Sequence, residues 1–458
     1  MSLRAWATVA WVAALVGVSS STAFSDASEE AAGGIADVDR DLPTLLQAPS
    51  GETPSWALLP IPRQPADRDG QVWVQARWHD APIFSSRTAR YGHGVMRAGT
   101  VIRAAALGRG PGCSGRWFRL QPFGYVCTTR GFRGRNHELE PPAVPRAATP
   151  DQVLPYRYAA VSDRSAYRYD RLPSESEYER VHDGRLGGLA SQLDGDYFVT
   201  VDGEVEHEGR TWVRTAQERY VRRDAVEMVE ASELHGELDP DGLELPMAFV
   251  FGEERPVYRL GEGRAREVGV ADVYARFHVE REVEVGGERY VVGPGGLALK
   301  RDAVRVATQS ERPDDIPEGD RWVHVDLAQQ VLMAYEGDTP IFATLVSSGK
   351  EGYDTPTGVF RVRHKYVSTT MSGDDPTDGV YDVAEVPWTQ YYYRSYALHG
   401  AYWHDAFGAV RSHGCTNIAP ADARWLFLWT TPVLPEGWHG IREEGVWVVN
   451  TNEEPETA

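Results

Sequence analysis

Near the end of the chain, Arg411-Ser412-His413-Gly414-Cys415-Thr416-Asn417 gathers a thiol, an imidazole and a glycine, and His399-Gly400 stands a short segment upstream. A thiol attacks a carbonyl only as thiolate, and an ordinary cysteine, with a pKa of about 8.5, is mostly protonated at neutral pH. A nucleophilic Cys415 would therefore need imidazole neighbours and backbone donors, and this segment offers both. Gly414 lets the backbone turn tightly and approach a substrate closely, as an oxyanion hole built from main-chain N–H groups requires. Taken singly, a cysteine or a histidine is ordinarily a core residue. Two histidines around one cysteine, in a segment rich in Gly, His, Asp and Asn, point instead to an active-site cysteine. Zinc uses the same ligand types, but neither Cys-x-x-Cys nor His-Glu-x-x-His occurs, so no metal and no cofactor is expected.

The elements that must position these groups read as strands. Trp322-Val323-His324-Val325-Asp326 and Val331-Leu332-Met333-Ala334-Tyr335 alternate around a turn, and Phe342 to Gly349 and Gly358 to Arg363 continue the sheet. Thr355-Pro356-Thr357-Gly358 is a turn with a proline-fixed φ and a permissive glycine. From Pro420 to Trp429 a proline start and spaced apolar residues predict a helix with one buried face. Cys415 would then sit just ahead of a helix whose N-terminal dipole favours a thiolate. Val367 to Tyr393, with its polar Ser368 to Asp375 stretch, reads as a long loop of the kind that forms lids.

At 458 residues, 42% hydrophobic and 10% aromatic, the chain has enough apolar content for two to four folded domains. Its formal charge of −20 argues against nucleic acid, anionic lipid or teichoic-type polymers as the main partner, since these need a basic footprint. Arg4, the apolar run Ala5 to Val18 and small residues ending at Ala23 read as a signal peptide over 1–23, too short to span a bilayer, which takes roughly 20 apolar residues. The expected location is outside the cytoplasm, in the periplasm or cell wall. There, Cys113 and Cys127, close together in one segment, are the natural disulfide pair. That leaves Cys415 over, either for an intermolecular bond or as a reactive thiol, and its setting favours the reactive one.

Residues 24–68 carry no sustained period and read as a linker; a short tail is expected over 451–458. Between them, short alternating runs predict a mainly β chain of small barrels. A weak internal repeat supports this: Arg210-Thr211-Trp212-Val213 leading to Arg223-Asp224-Ala225-Val226 is echoed by Arg289-Tyr290-Val291 leading to Arg301-Asp302-Ala303-Val304, with a longer insertion in the first copy. The segment around Trp117 and Tyr125-Val126 shares the rhythm. The pattern resembles bacterial SH3-like modules, which in exported proteins often grip wall glycan, and places β modules at 69–140, 150–235 and 240–310.

The last third, 317–450, resembles the L,D-transpeptidase (YkuD-type) catalytic domain. The resemblance rests on the opening hairpin Val323 to Tyr335, on Ser348-Gly349 to Thr355-Pro356-Thr357-Gly358, on Ala397-Leu398-His399-Gly400 and on Ser412-His413-Gly414-Cys415-Thr416-Asn417. It implies a β-rich catalytic domain with a short helix after the cysteine, in which Cys415 is the nucleophile, His399 the base and the Gly400 carbonyl the group that orients it. His413 and Ser412 would line the pocket and support the thiolate, the N–H groups of Gly414 and Cys415 would be the oxyanion donors, and Asn417 would fix the loop. Tyr381, Trp388 and Trp403 could wall the substrate channel, with core packing the ordinary alternative for each. The resemblance implies a diaminopimelate-type peptidoglycan stem as donor and a thioester acyl-enzyme. The side-chain amine of another stem as acceptor would cross-link the third residues of two stems, a protein lysine would make the enzyme an anchoring one, and water would make it a carboxypeptidase or endopeptidase. A catalytically silent wall-binding scaffold is the non-enzymatic alternative.

Overall fold

Val, Ile, Thr and aromatic residues alternate with polar ones between glycine turns over most of the chain, which favours a pleated, half-buried backbone. The computed structural model describes residues 44–58, 71–135, 152–185, 188–375 and 379–453, and these are mainly β. The expected signal segment lies outside the described residues. Among the described residues, no helix is long and apolar enough to cross a membrane.

One sheet organises the C-terminal domain. Its strands run in the spatial order Gly358–Arg361, Trp447–Thr451, Arg321–Asp326, Val331–Glu336, Thr339–Ser347, Thr416–Ile418, Tyr396–Gly400, Gly379–Tyr393, His364–Asp375 and Gly440–Arg442. The opening hairpin forms as its alternation predicts, with Val323 opposite Ala334 and Val325 opposite Leu332. The stretch expected to be a lid loop is instead a long hairpin, His364–Asp375 against Gly379–Tyr393. Its polar residues misled: serines and threonines suit a strand whose one face looks onto a cleft.

The helix Pro420–Trp429 forms where the proline start placed it, but it is buried nearly all round rather than on one face. Its fully buried Asp422 accepts from the Gly236 N–H (2.9 Å) and the Thr344 hydroxyl (2.5 Å) in the first turn. Burial pushes the Asp422 carboxyl up to about 7 against these donors. The strand Thr416–Ile418 separates Cys415 from this helix, so the first-turn polar position belongs to Asp422 and not to the thiol. At the other end, the buried Lys365 ammonium donates to the carbonyls of Phe427 (2.6 Å) and Thr430 (2.7 Å), placing a cation at the negative end of the helix.

The upstream β units share strands with this sheet. Gly94–Arg97 pairs with Gly440–Arg442, Asp196–Val201 with Gly379–Tyr393, and Glu237–Leu238 with Thr339–Ser347. Residues 44–58, within the stretch read as linker, are also laid on the body: Thr44–Leu46 pairs with Val270 and Ala271, and Trp56 packs edge-on against Phe342 and Trp425. In the first unit Cys113 and Cys127 are disulfide-bonded, and Cys415 is the free cysteine.

The hairpin strand Gly379–Tyr393 bends at Glu385 and Trp388, both at positive φ (51° and 57°), where non-glycine residues are uncommon. Glu385 is held there by a buried cluster. Its carboxylate accepts from Arg97 of the first unit (2.5 Å) and from Ser368 (2.6 Å), and its backbone carbonyl accepts from the Tyr158 hydroxyl (2.7 Å). Burial alone would raise its pKa, but His79, Arg97 and Ser368 outweigh it and hold the carboxyl well below the usual carboxylate range. The first and second units are thereby fastened to the hairpin that borders the candidate site.

Candidate active site

The motif segment is fixed by its own side chains. Ser412 Oγ donates to the Cys415 carbonyl (2.5 Å) and accepts from the Gly414 N–H (3.0 Å), closing a tight loop around the cysteine. Gly414 has φ of 114°, and a Cβ there would lie 2.5 Å from the Tyr396 ring, so both conformation and space demand glycine. The loop is tethered from the far side: Thr355 Oγ1 donates to the Gly414 carbonyl (2.8 Å) and accepts from the Gly349 N–H (2.9 Å). The backbone N–H groups of Arg411 and Ser412 both donate to the Ser348 carbonyl. Because its N–H is engaged by Ser412, Gly414 is not a free oxyanion donor in this resting form, which revises the role expected for it.

Parallel pairing sets His399 beside Asn417 and Leu398 beside Thr416, bringing the two motif pieces together at adjacent strand ends. The half-buried Cys415 thiol points its hydrogen at the Ser395 carbonyl (3.5 Å). Burial pushes the thiol up to about 11, and a backbone hydrogen bond from Ala397 pulls the other way. His399 is buried, which lowers its imidazole to about 4, while the Gly400 carbonyl, 3.3 Å from Nδ1, raises it. A carbonyl only accepts, so Nδ1 carries the proton and Nε2 keeps the lone pair of a base. Both shifts favour a neutral thiol and a neutral imidazole over the preformed thiolate that the motif alone suggests.

Cys415, His399, Ser412, His413, Asn417, Tyr381 and Trp403 all line one cleft of about 910 Å³. His413 is exposed, its ring stacked on Tyr381 (5.1 Å between centroids) and met edge-on by Tyr353 (4.8 Å). Trp403 lies 5.7 Å from the His399 ring. Trp388 is elsewhere: fully buried, it packs near Phe427 and donates to the Val153 carbonyl (2.6 Å), so its channel role is corrected to a core one. Trp388 itself stands at positive φ (57°), and its indole lies in the core.

His404 was not singled out from the sequence. Its Nδ1 accepts from the Ala406 N–H (3.2 Å) and its Nε2 faces the Asn417 amide at 2.9 Å. Burial, with Arg411 and His399 nearby, lowers it to about 3, so the ring is neutral with its hydrogen on Nε2. The amide atom facing it must then be the Asn417 oxygen, which fixes Asn417 by a partner on the loop after His399. A third histidine five residues after His399 was the only available signal.

Residues 320–442 match the family model of the L,D-transpeptidase (YkuD) catalytic domain. No curated protein matches the chain. Solved structures similar to this L,D-transpeptidase-type domain include one from Stackebrandtia nassauensis, 24% identical over 32% of this chain and 64% of that one, with a TM-score of 0.22. A mutant form of the Enterococcus faecium L,D-transpeptidase is 24% identical over 32% of this chain and 55% of that one, TM-score 0.25. The catalytic domain of the E. faecium enzyme acylated by ertapenem is 25% identical over 28% of this chain and 98% of that one, TM-score 0.23. The chain spans 55–64% of the length of the first of these structures. The region outside 320–442, including the second β unit that borders the cleft, lies beyond the family match.

Proposed function

We propose that the chain is an exported cysteine acyltransferase of the L,D-transpeptidase kind, acting on peptidoglycan stem peptides through a thioester on Cys415. The observation that carries this reading is the single free thiol sharing a large open cleft with a buried imidazole whose Nε2 is unprotonated. In the first step Sγ attacks the carbonyl carbon of the scissile amide, and the thiol proton passes to His399 Nε2. The C–N bond then breaks, and the departing amine takes that proton. In the second step an acceptor amine attacks the thioester and gives its proton to His399. The C–S bond breaks and the thiolate is reprotonated. Water in place of the amine gives a shortened stem. The β units upstream are assigned to the wall-facing part of the molecule, as SH3-like modules.

Incubating the purified chain with diaminopimelate-type tetrapeptide stems and weighing the products tests the reading. Loss of a terminal D-Ala with formation of a joined stem is expected, and Cys415→Ala should abolish it. Product from Cys415→Ala at the wild-type rate would overturn the assignment. The neutral resting pair adds a pH signature. A thiol pushed up to about 11 is protonated across the neutral range, and its thiolate fraction grows tenfold per pH unit below that value. Alkylation of Cys415 by iodoacetamide should therefore be slow at neutral pH and climb steadily into the alkaline range. A flat, fast profile from neutral pH downward would show a preformed thiolate–imidazolium pair instead.

A further inference from the structure

The cleft is not built by the C-terminal domain alone. Ala160, Val161, Asp196, Tyr197 and Phe198 line it together with Cys415 and His399, and all five belong to the second β unit. They are held in place by backbone pairing, with Asp196 beside Tyr381, Tyr197 beside Asp382 and Phe198 beside Val383. Arg168 of the same unit donates to Asp382 (3.1 Å). The approach is close enough that a Cβ on Gly195 would sit 2.1 Å from the Val380 carbonyl oxygen, so backbone meets backbone there. Phe198 reaches inward to the Tyr402 ring (6.0 Å) and the Trp403 ring (6.3 Å), and Trp403 neighbours His399.

The two sides of the cleft differ in charge. Lys350 and Arg411 stand on the side of the nucleophile loop, whereas the second unit offers half-buried apolar side chains and the carboxylate of Asp196. The ion pair of Asp196 with Arg164 is 3.3 Å long and exposed on both partners, the kind that contributes little and yields easily to a ligand. An acyl donor brings carboxylates and suits the cationic side. An attacking amine is an ammonium in water until it gives up its proton, so a carboxylate at the mouth concentrates it, and the apolar wall orients its chain near the thioester.

We propose that the second β unit is the acceptor-side wall of the active site, with Asp196 and Phe198 selecting an amine-bearing stem over water. This rests on the acyltransferase reading above. In the step concerned, the ammonium first yields one proton to solvent; the neutral amine nitrogen then bonds to the thioester carbon, its second proton goes to His399 Nε2, and the C–S bond breaks to release the Cys415 thiolate.

The test uses the full chain and separates the two half-reactions. Intact-mass kinetics follow acylation of Cys415 by a tetrapeptide stem, and product analysis follows the partition of the acyl-enzyme between an added tripeptide stem amine and water. For Phe198→Ala, transfer to the amine should fall at least fivefold more than acylation, and the hydrolysed fraction should rise. Asp196→Asn, on an exposed side chain, should lower transfer about threefold through the acceptor KM, and it carries the test if Phe198→Ala folds poorly. An unchanged partition in both variants, or equal loss of acylation and transfer, would overturn the proposal and leave the second unit as a support. Failure of the wild-type chain to be acylated by any stem would instead sink the acyltransferase reading itself.

Discussion

The second and third β units are two copies of one design put to different uses. Trp212 and Tyr290 occupy matching buried positions, and each copy ends in a short 3-10 turn, Arg223–Ala225 and Arg301–Ala303, before its last strand. The turn arginines repeat the same contacts: Arg223 reaches Glu204 (3.0 Å) and the Val226 carbonyl (3.0 Å), and Arg301 reaches Glu282 (3.1 Å) and the Val304 carbonyl (3.3 Å). The outer edges diverge. Ala160 and Val161, which line the cleft half-buried, correspond by strand pairing to Phe249 and Val250, which are fully buried. Phe198 corresponds to Arg276, and Gly195, which lets the backbone touch Val380, falls at Val273. The valines match in size, so the contrast lies in Ala160 against Phe249: the alanine leaves the cleft edge open, whereas the phenylalanine packs into the core with Trp322, Met333 and Phe407. The two copies thus differ at a few edge side chains while the buried ring and the turn arginine recur in both.

The largest effects should fall on what the copies share. Trp212→Ala and Tyr290→Ala each remove a buried ring and should cost about 3–5 kcal/mol by denaturant titration. A cost confined to one copy would break the equivalence. Next comes the edge: Gly195→Val drives a side chain into the Val380 carbonyl and should cost about 3 kcal/mol while reducing amine transfer. The reverse change in the other copy, Val273→Gly, should cost about 2 kcal/mol, as backbone entropy together with the packing of Val273 against the core around Trp322 and Phe407, and should leave amine transfer unchanged. Similar effects on amine transfer at the two positions would mean that the close approach at Gly195 is not what distinguishes them. The smallest contrast separates the arginines. Arg301 also donates to Gln329 of the C-terminal domain (3.0 Å), whereas Arg223 pairs with Glu204 nearer the surface. Arg301→Ala should lower stability by about 1–2 kcal/mol and Arg223→Ala by less than about 1 kcal/mol. Equal losses would show that the Gln329 contact contributes nothing.

The sequence by itself determined the local chemistry. Gly414 had to be glycine, Pro420 began a helix, Val323 to Tyr335 made a hairpin, and Cys113 and Cys127 left Cys415 as the free thiol. These follow from backbone sterics, side-chain period and cysteine count, all of which are short-range. The repeat too was legible, because its turn arginines recur at one spacing. Tertiary structure alone decided the rest. Whether Trp388 lined the channel depended on core partners far away in sequence, among them the Val153 carbonyl that its indole N–H reaches. The upward push on the Cys415 thiol comes from desolvation within the assembled cleft. That the second β unit would border the site depended on Asp196–Val201 finding the strand Gly379–Tyr393, a pairing that no local pattern encodes. Strand partners far apart in sequence are chosen by the shape and burial of the folded whole, so the residues of a site can be read in advance more readily than its walls.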